Sequence, residues 1–143
     1  MKRITAIVAL LAAASTIGLG NAFAQGNAVR ATMPFDFTIG NKVLPAGTYT
    51  INRFHNDLIE IRGVDKDVAL LSTSYGDETQ SKNGPVLVFD KCGGDYFLRE
   101  VLGGSAGGMN VNLPLSKAEE RARQQESLAK NITQVSIAAT AGY

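Results

Sequence analysis

The sequence contains very few of the residues on which metal and disulfide chemistry depend. Cys92 is the only cysteine, His55 is the only histidine, and tryptophan is absent. Zinc sites require three or four such ligands, so this pair supplies no metal-ligand spacing. A single cysteine cannot form an internal disulfide, so the fold must be held together by packing. We expect Cys92 to be a small residue at a turn or strand end, with a reactive thiol or an intermolecular disulfide as the alternatives.

An excess of charge of one sign is also missing. The chain has 14 basic and 13 acidic residues. Without Lys2 and Arg3, 12 basic and 13 acidic residues remain. No basic stripe is visible in the sequence, which argues against a nucleic-acid partner. No polybasic or acidic block is visible either, so a strongly charged surface is not the expected partner.

The first 24 residues have the pattern of a secretory signal peptide. Lys2 and Arg3 precede an uncharged apolar run over residues 4–19, and residues 22–24 (AFA) form a small-x-small cleavage sequence. The run has about 16 residues, fewer than the ~20 of a membrane-spanning helix. We therefore predict an exported mature chain of residues 25–143, in the periplasm or outside the cell, with no integral membrane span. Its 119 residues suit one domain.

Motifs of the common catalytic sites are missing from the sequence. Only Ser105, within residues 103–107 (GGSAG), has the Gly-x-Ser-x-Gly spacing, and this segment does not lead from a strand into a helix as a nucleophile elbow does. Residues 103–108 (GGSAGG) are glycine-rich, but they do not run from a strand into a helix, so we interpret them as a flexible connector rather than a phosphate loop. We predict no catalytic, cofactor-binding or metal-binding residues, and a protein that is not an enzyme.

Two pairs of aspartates could in principle perform acid–base chemistry or bind calcium. Asp90 and Asp95 flank the segment Lys91-Cys92-Gly93-Gly94, and Asp65 and Asp67 flank Lys66. Aspartate is favoured beside turns because its side chain bonds to nearby backbone groups. We therefore predict a turn role for both pairs, with a weak calcium contact as the alternative. His55, followed by Asn56 and Asp57, is likewise expected to be a solvated turn residue.

Short alternating segments separated by turn residues dominate residues 25–115. This pattern predicts about six to eight antiparallel strands in a single all-β sandwich or small open barrel. The nearly apolar residues 86–90 predict a strand covered on both faces. The aromatic residues are expected to form the core, although a barrel interior lined by them could admit a small apolar ligand. They are Phe35, Phe37, Tyr49, Phe54, Phe89, Tyr96 and Phe97.

The character of the sequence changes at residue 116. Ser116 and Glu119 fit a capping box, and strong helix formers follow, so residues 116–130 are predicted to form one polar helix. Glu119–Arg123 and Glu126–Lys130 are favourable pairs four residues apart. The apolar stripe of this helix is thin, which predicts weak packing through small residues or an exposed helix. Residues 131–143 are interpreted as a tail, either one marginal strand or a disordered end.

Several phrases of the sequence stand together in a recognisable order. Residues 33–42 (MPFDFTIGNK) run into residues 44–50 (LPAGTYT), and residues 96–101 (YFLREV) and the Ser116 capping segment follow. This order resembles a group of small exported proteins of unassigned function that are abundant in Acidobacteria. The resemblance covers roughly residues 28–125. It implies a β-rich domain with a C-terminal helix, and it implies no catalytic residues.

Three functions remain open from the sequence. The first is an exported, non-enzymatic module of the envelope or the extracellular space that binds a protein partner or associates with itself. The second is a carrier of a small apolar ligand in the β-barrel interior. The third is a hydrolase whose carboxylates converge in a cleft. An outer-membrane role, suggested only by the C-terminal aromatic Tyr143, is the weakest alternative.

Overall fold

The structure, a computed structural model, describes residues 28–104, 109–127 and 132–142. The predicted signal peptide, most of the glycine-rich connector and the Lys130 end of the helix lie outside these described residues. Twelve strands and one helix follow one another in the described chain. They are β1 Ala28–Met33, β2 Phe37–Ile39, β3 Lys42–Leu44, β4 Gly47–His55, β5 Leu58–Gly63, β6 Ala69–Thr73, β7 Tyr75–Gly76, β8 Val86–Cys92, β9 Asp95–Leu102, β10 Asn110–Asn112, α1 Lys117–Ser127, β11 Ile132–Ala138 and β12 Thr140–Ala141.

The strands form two sheets that curl into a sandwich-like half-barrel. Sheet A has the order β12-β1-β4-β5-β6, and all its neighbours are antiparallel. Sheet B has the order β11-β8-β9-β10-β7, with β2 beside β9 and β3 beside β2. The described chain crosses between the sheets four times: between β1 and β2, between β3 and β4, at the corner residue Ser74 between β6 and β7, and at the corner residue Ala139 between β11 and β12. The all-β prediction is confirmed, and the strands beyond the predicted six to eight are pieces of two or three residues.

The core lies between the two sheets and follows the period of two. In β1, the buried residues Val29, Ala31 and Met33 alternate with exposed neighbours. Tyr49 and Ile51 of β4 lie opposite Ala31 and Val29 in the β1–β4 register, so neighbouring strands bury matching positions. The Tyr49 hydroxyl donates a hydrogen bond of 2.6 Å to the Pro45 carbonyl. Tyr49 therefore enters the sheet and covers the core, as the sequence predicts.

The hairpin between β8 and β9 turns at Gly93 and Gly94, within the segment 91–94 that the sequence predicts as a turn, whereas Lys91 and Cys92 belong to β8. Gly93 has a φ of 61°, and a Cβ added there would lie 2.5 Å from Glu126 Oε1, whereas one at Gly94 would meet nothing within 4 Å. We expect Gly93→Ala to lower the free energy of unfolding by about 1–2 kcal/mol, since an L-residue pays for the left-handed conformation. Gly94→Ala is the control and should change it by less than about 0.5 kcal/mol. Urea unfolding of both variants measures the difference, and equal effects would contradict this role of Gly93.

The C-terminal segment is more ordered than its sequence indicates. β11 pairs with β8 along all seven of its residues, and β12 pairs with β1. The predicted marginal strand corresponds to β11, the alternative of a disordered end is wrong for residues 132–142, and β12 is a further short strand. The seven residues of β11 are exposed or only half-buried. The sequence gives a weak alternation there because the strand gains its stability from backbone pairing with β8 rather than from burial.

Helix α1 begins where the capping prediction places it and has 11 residues. The Ser116 Oγ accepts a hydrogen bond of 3.1 Å from the Glu119 backbone N–H, which confirms the first half of the predicted capping box. The Glu119 side chain has other partners, because its carboxylate points toward two arginines. The helix packs on β8 and β11 on the outer face of sheet B.

Candidate functional site

Four charged side chains meet where α1 covers sheet B, and we call them the charge cluster: Asp90, Arg99, Glu119 and Arg123. Asp90 is contributed by β8, Arg99 by β9, and the other two by α1. In β8, Leu87 and Phe89 belong to the core between the sheets. Asp90 therefore lies on the opposite face, the one that α1 covers. This arrangement explains why the predicted strand 86–90 is buried on both faces.

A β-bulge places Arg99 within reach of Asp90. Val88 pairs with Glu100 and Phe89 pairs with Leu98, so Arg99 is the additional residue of β9 without a partner in β8. Bulges commonly redirect a side chain. Arg99 Nε lies 3.6 Å from Asp90 Oδ2, and Arg99 Nη1 lies 3.6 Å from Glu119 Oε2. The Arg99 side chain thus touches a carboxylate of the sheet and a carboxylate of the helix.

Arg123 completes the charge cluster from the helix. Arg123 Nη2 lies 3.1 Å from Glu119 Oε1, one helical turn earlier, and it also donates a hydrogen bond to Asp90 Oδ2. The pair between Glu119 and Arg123 confirms the predicted pairing of residues four apart. The other predicted pair, Glu126–Lys130, extends outside the described residues. Each arginine therefore connects the same two carboxylates, and the charge cluster is electrically neutral.

Burial distinguishes the charge cluster from a surface ion pair. The side chains of Asp90 and Glu119 are 7% and 3% exposed, while the two arginines keep partial contact with water. Burial raises the pKa of Glu119, and the charges of Arg99 and Arg123 oppose that rise only in part. The charge cluster therefore has a structural role, because its two guanidinium groups hold a polar helix against a sheet.

The raised pKa of Glu119 makes a pH prediction. The folded protein keeps the Glu119 proton to a higher pH than the unfolded chain does, because the pKa of Glu119 in the unfolded chain is near the ordinary 4.5. The contribution of Glu119 to the free energy of unfolding should therefore fall as the pH rises above 4.5 toward the folded-state pKa. We expect Glu119→Gln to flatten this part of the pH dependence relative to the unmodified protein. Urea unfolding across a pH series measures it, and parallel curves for both proteins would contradict the assignment.

Cys92 lies beside the charge cluster as the last residue of β8. It is buried and has a free thiol. Burial raises the pKa of this thiol, although the Arg123 charge lowers it in part. Because the thiolate is the nucleophile, a thiol held in its protonated form is poorly reactive. The predicted place at a strand end is confirmed, and the chemistry of the site favours a packing role.

The sequence predicts a turn position for Asp90, and the charge cluster as a whole is not visible in it. Asp95, the other member of that pair, is exposed, as are Asp65 and Asp67. The turn interpretation of Asp90 is wrong because the residue lies inside β8, two residues before that strand ends at Cys92. One signal in the sequence does point to the charge cluster: Asp90 ends a nearly continuous apolar strand. A charged residue that is buried in such a strand rarely lacks a partner of opposite charge.

The remaining candidate polar residues lie apart from the charge cluster. His55 is the exposed last residue of β4, and the turn consists of Asn56 and Asp57. Asp77 and Glu78 line a surface cleft of about 430 Å³ together with Arg53 and Asn110. The Arg53 Nη2 donates a hydrogen bond of 3.3 Å to the Asn110 carbonyl and so links sheet A to sheet B. Within the described ranges, no group of three histidine, cysteine or acidic residues is placed to hold a metal ion.

The aromatic residues of the core pack on one another. Phe37 makes edge-to-face contacts with Tyr49 and Phe89, with ring centroids 5.2 and 5.7 Å apart. Phe35 stacks on Tyr96 at 3.7 Å and meets Phe89 edge-on at 5.3 Å. The core prediction is confirmed for the buried Phe37, Tyr49, Phe89 and Phe97, while Phe35 and Tyr96 are half-buried against the core. It is wrong for Phe54, which is 58% exposed.

No protein-family model, curated protein or solved structure matches the chain. Among the residues that the structure describes, no helix is long and apolar enough to cross a membrane.

Proposed function

We propose that this protein is an exported, non-enzymatic module of the envelope or the extracellular space that acts by binding other protein surfaces. The observation that carries the proposal is the pair of long edge strands without charge. β6 (ALLST) ends sheet A, β11 (ITQVSIA) ends sheet B, and neither has a charged residue or a proline. Exposed strand edges are templates for pairing with another chain.

The buried polar groups are consistent with such a role. The four residues of the charge cluster pair with one another and hold α1 on sheet B. None of them lies on β6 or β11, so both edge strands are free to pair with another chain. The export part of the proposal rests on the signal-peptide pattern of residues 1–24. It agrees with the resemblance to small exported β-rich proteins carried by the phrase that contains Phe35 and Tyr49.

Native mass spectrometry of the protein produced from its full chain tests this proposal. We expect a chain that begins at Gln25 and that forms an oligomer, or a complex of fixed stoichiometry that re-forms from purified components. An uncleaved N-terminus would contradict export. A small apolar molecule retained in equimolar amount would favour the carrier function instead, in which the space between the sheets holds a ligand.

Activity in a hydrolase screen would contradict the non-enzymatic part of the proposal. The discriminating control is Asp77→Asn, because Asp77 lines the cleft beside Arg53 and its charge contributes, after burial, to the raised pKa of Glu100. An activity that disappears in this variant would assign the carboxylates of the cleft to catalysis. We expect no activity in either protein.

A further inference from the structure

Strand β6 presents an edge that is open to pairing. It is the last strand of sheet A, and within the described part of the chain it pairs only with β5. Natural edge strands are commonly protected by charged side chains, proline, a bulge or very short length. The five residues Ala69–Thr73 include no charge and no proline, and their register with β5 is unbroken. None of these protections is present at this edge.

An apolar side chain stands at the centre of β6. Leu71 is 54% exposed and lies opposite Glu60 of β5. The Glu60 carboxylate is already paired, since Arg62 Nη2 lies 2.6 Å from its Oε1. The neighbours of Leu71 along β6 are therefore uncharged, and the one charged residue opposite it in β5 already has an ion-pair partner. Covering this side chain would remove apolar surface from water without placing a free charge next to it.

We propose that β6 pairs with β6 of a second copy of this chain, antiparallel and centred on Leu71. In this register Leu71 faces Leu71 of the second copy, Ala69 faces Thr73, and Leu70 faces Ser72. No like charges oppose each other, and the two copies of Leu71 cover one another. The pairing joins two copies of sheet A into one sheet of ten strands. A two-fold interface of this kind is closed, so assembly stops at a dimer.

The edge of β11 is the weaker candidate for this interface. It is also uncharged, but it runs close to β1 near the corner at Ala139, and α1 packs on it. β11 therefore already contacts other elements of its own chain, whereas β5 is the only strand beside β6 in sheet A. The inference deepens the proposed function, on which it rests, by naming a second copy as the partner.

The first test introduces a positive charge at the two-fold axis. We expect the unmodified protein to sediment as a dimer over a wide dilution series and Leu71→Lys to raise the dissociation constant at least about a hundredfold, because two ammonium groups would face each other. Val43→Lys is the matched control, since Val43 is 65% exposed on β3. It should remain dimeric, and circular dichroism should show an unchanged fold for both variants.

The second test fixes the register. Paired Cα atoms in an antiparallel ladder lie about 4.5–5.5 Å apart, within the range of a disulfide. Leu71→Cys should therefore form a reducible covalent dimer on mild oxidation. Thr73→Cys should not, because its two copies would lie roughly 13 Å apart. The unmodified protein, which retains the buried Cys92, is the background control.

A monomer at all concentrations, or a dimer that is unaffected by Leu71→Lys and not cross-linked through Leu71→Cys, would overturn the inference. The second of these results would leave the proposed function intact, since the protein would still assemble through another surface. Open-ended fibres rather than dimers would also overturn it, because they require a head-to-tail contact. An exported monomer with no partner in native mass spectrometry would count against both proposals.

Discussion

Replacing Phe37 with alanine is expected to lower the free energy of unfolding by about 3–5 kcal/mol, the range for removing a buried aromatic side chain. Phe37 is 1% exposed, and its ring contacts Tyr49 of sheet A and Phe89 of sheet B. The substitution would remove the ring that connects the two sheets at this point and would leave a cavity between them. A loss of this size is a large part of the stability of an ordinary domain.

The matched control is Phe54→Ala, which makes the same chemical change on the surface. Phe54 is 58% exposed at the end of β4, and we expect its truncation to cost less than about 1 kcal/mol. Urea unfolding followed by circular dichroism measures both variants. If the Phe37→Ala protein does not fold, Phe37→Leu provides the graded test, with an expected smaller loss. Similar costs for Phe37→Ala and Phe54→Ala would contradict a packed interior at Phe37.

The second large effect is expected from Asp90→Asn. This change keeps the size of the side chain but removes the charge that Arg99 and Arg123 share. Breaking a buried ion pair costs about 3–5 kcal/mol because the remaining charge loses its partner. Both guanidinium groups here keep partial contact with water, so we expect a smaller loss of about 2–3 kcal/mol.

Asp95→Asn is the control for this prediction. Asp95 is the other aspartate of the β8–β9 hairpin, and it is exposed, so its replacement should change the free energy of unfolding by less than about 0.5 kcal/mol. Hydrogen exchange adds a local readout: in Asp90→Asn, the amides of α1 should exchange faster, while those of β4 and β5 change less. Equal behaviour of the two asparagine variants would show that the charge cluster does not fasten the helix.

The strands of the core could be predicted from the sequence because their signal is local. The alternation in Ala28–Met33 and in Leu58–Gly63 is repeated in their burial. The turn at Gly93 and Gly94 and the helix start at Ser116 are also local, since they depend on backbone conformation and on a hydroxyl three residues from its partner. The local signal is weak in β11 and left a disordered end open, because this strand is stabilised by pairing with β8, 40 residues or more earlier in the chain.

The charge cluster was not predictable in the same way. Asp90 and Arg123 are 33 residues apart, and although Asp90 ends an apolar segment, nothing in the sequence pairs it with Arg123. Only the bulge at Arg99, the register of β8 with β9 and the packing of α1 bring the four side chains together. The sequence shows the helix to be polar, and the structure shows how a polar helix can still be held.

The sequence by itself determined the fold class, the positions of the main strands and turns, and the start of the helix, because periodicity, turn residues and capping act over a few residues. It also restricted two kinds of chemistry, since one cysteine and one histidine cannot supply an internal disulfide or the usual ligand set of a zinc site. Only the tertiary structure decided which charges are buried together and which strands lie at the edges of the sheets. Those properties depend on register and strand order, which are set by contacts between distant parts of the chain.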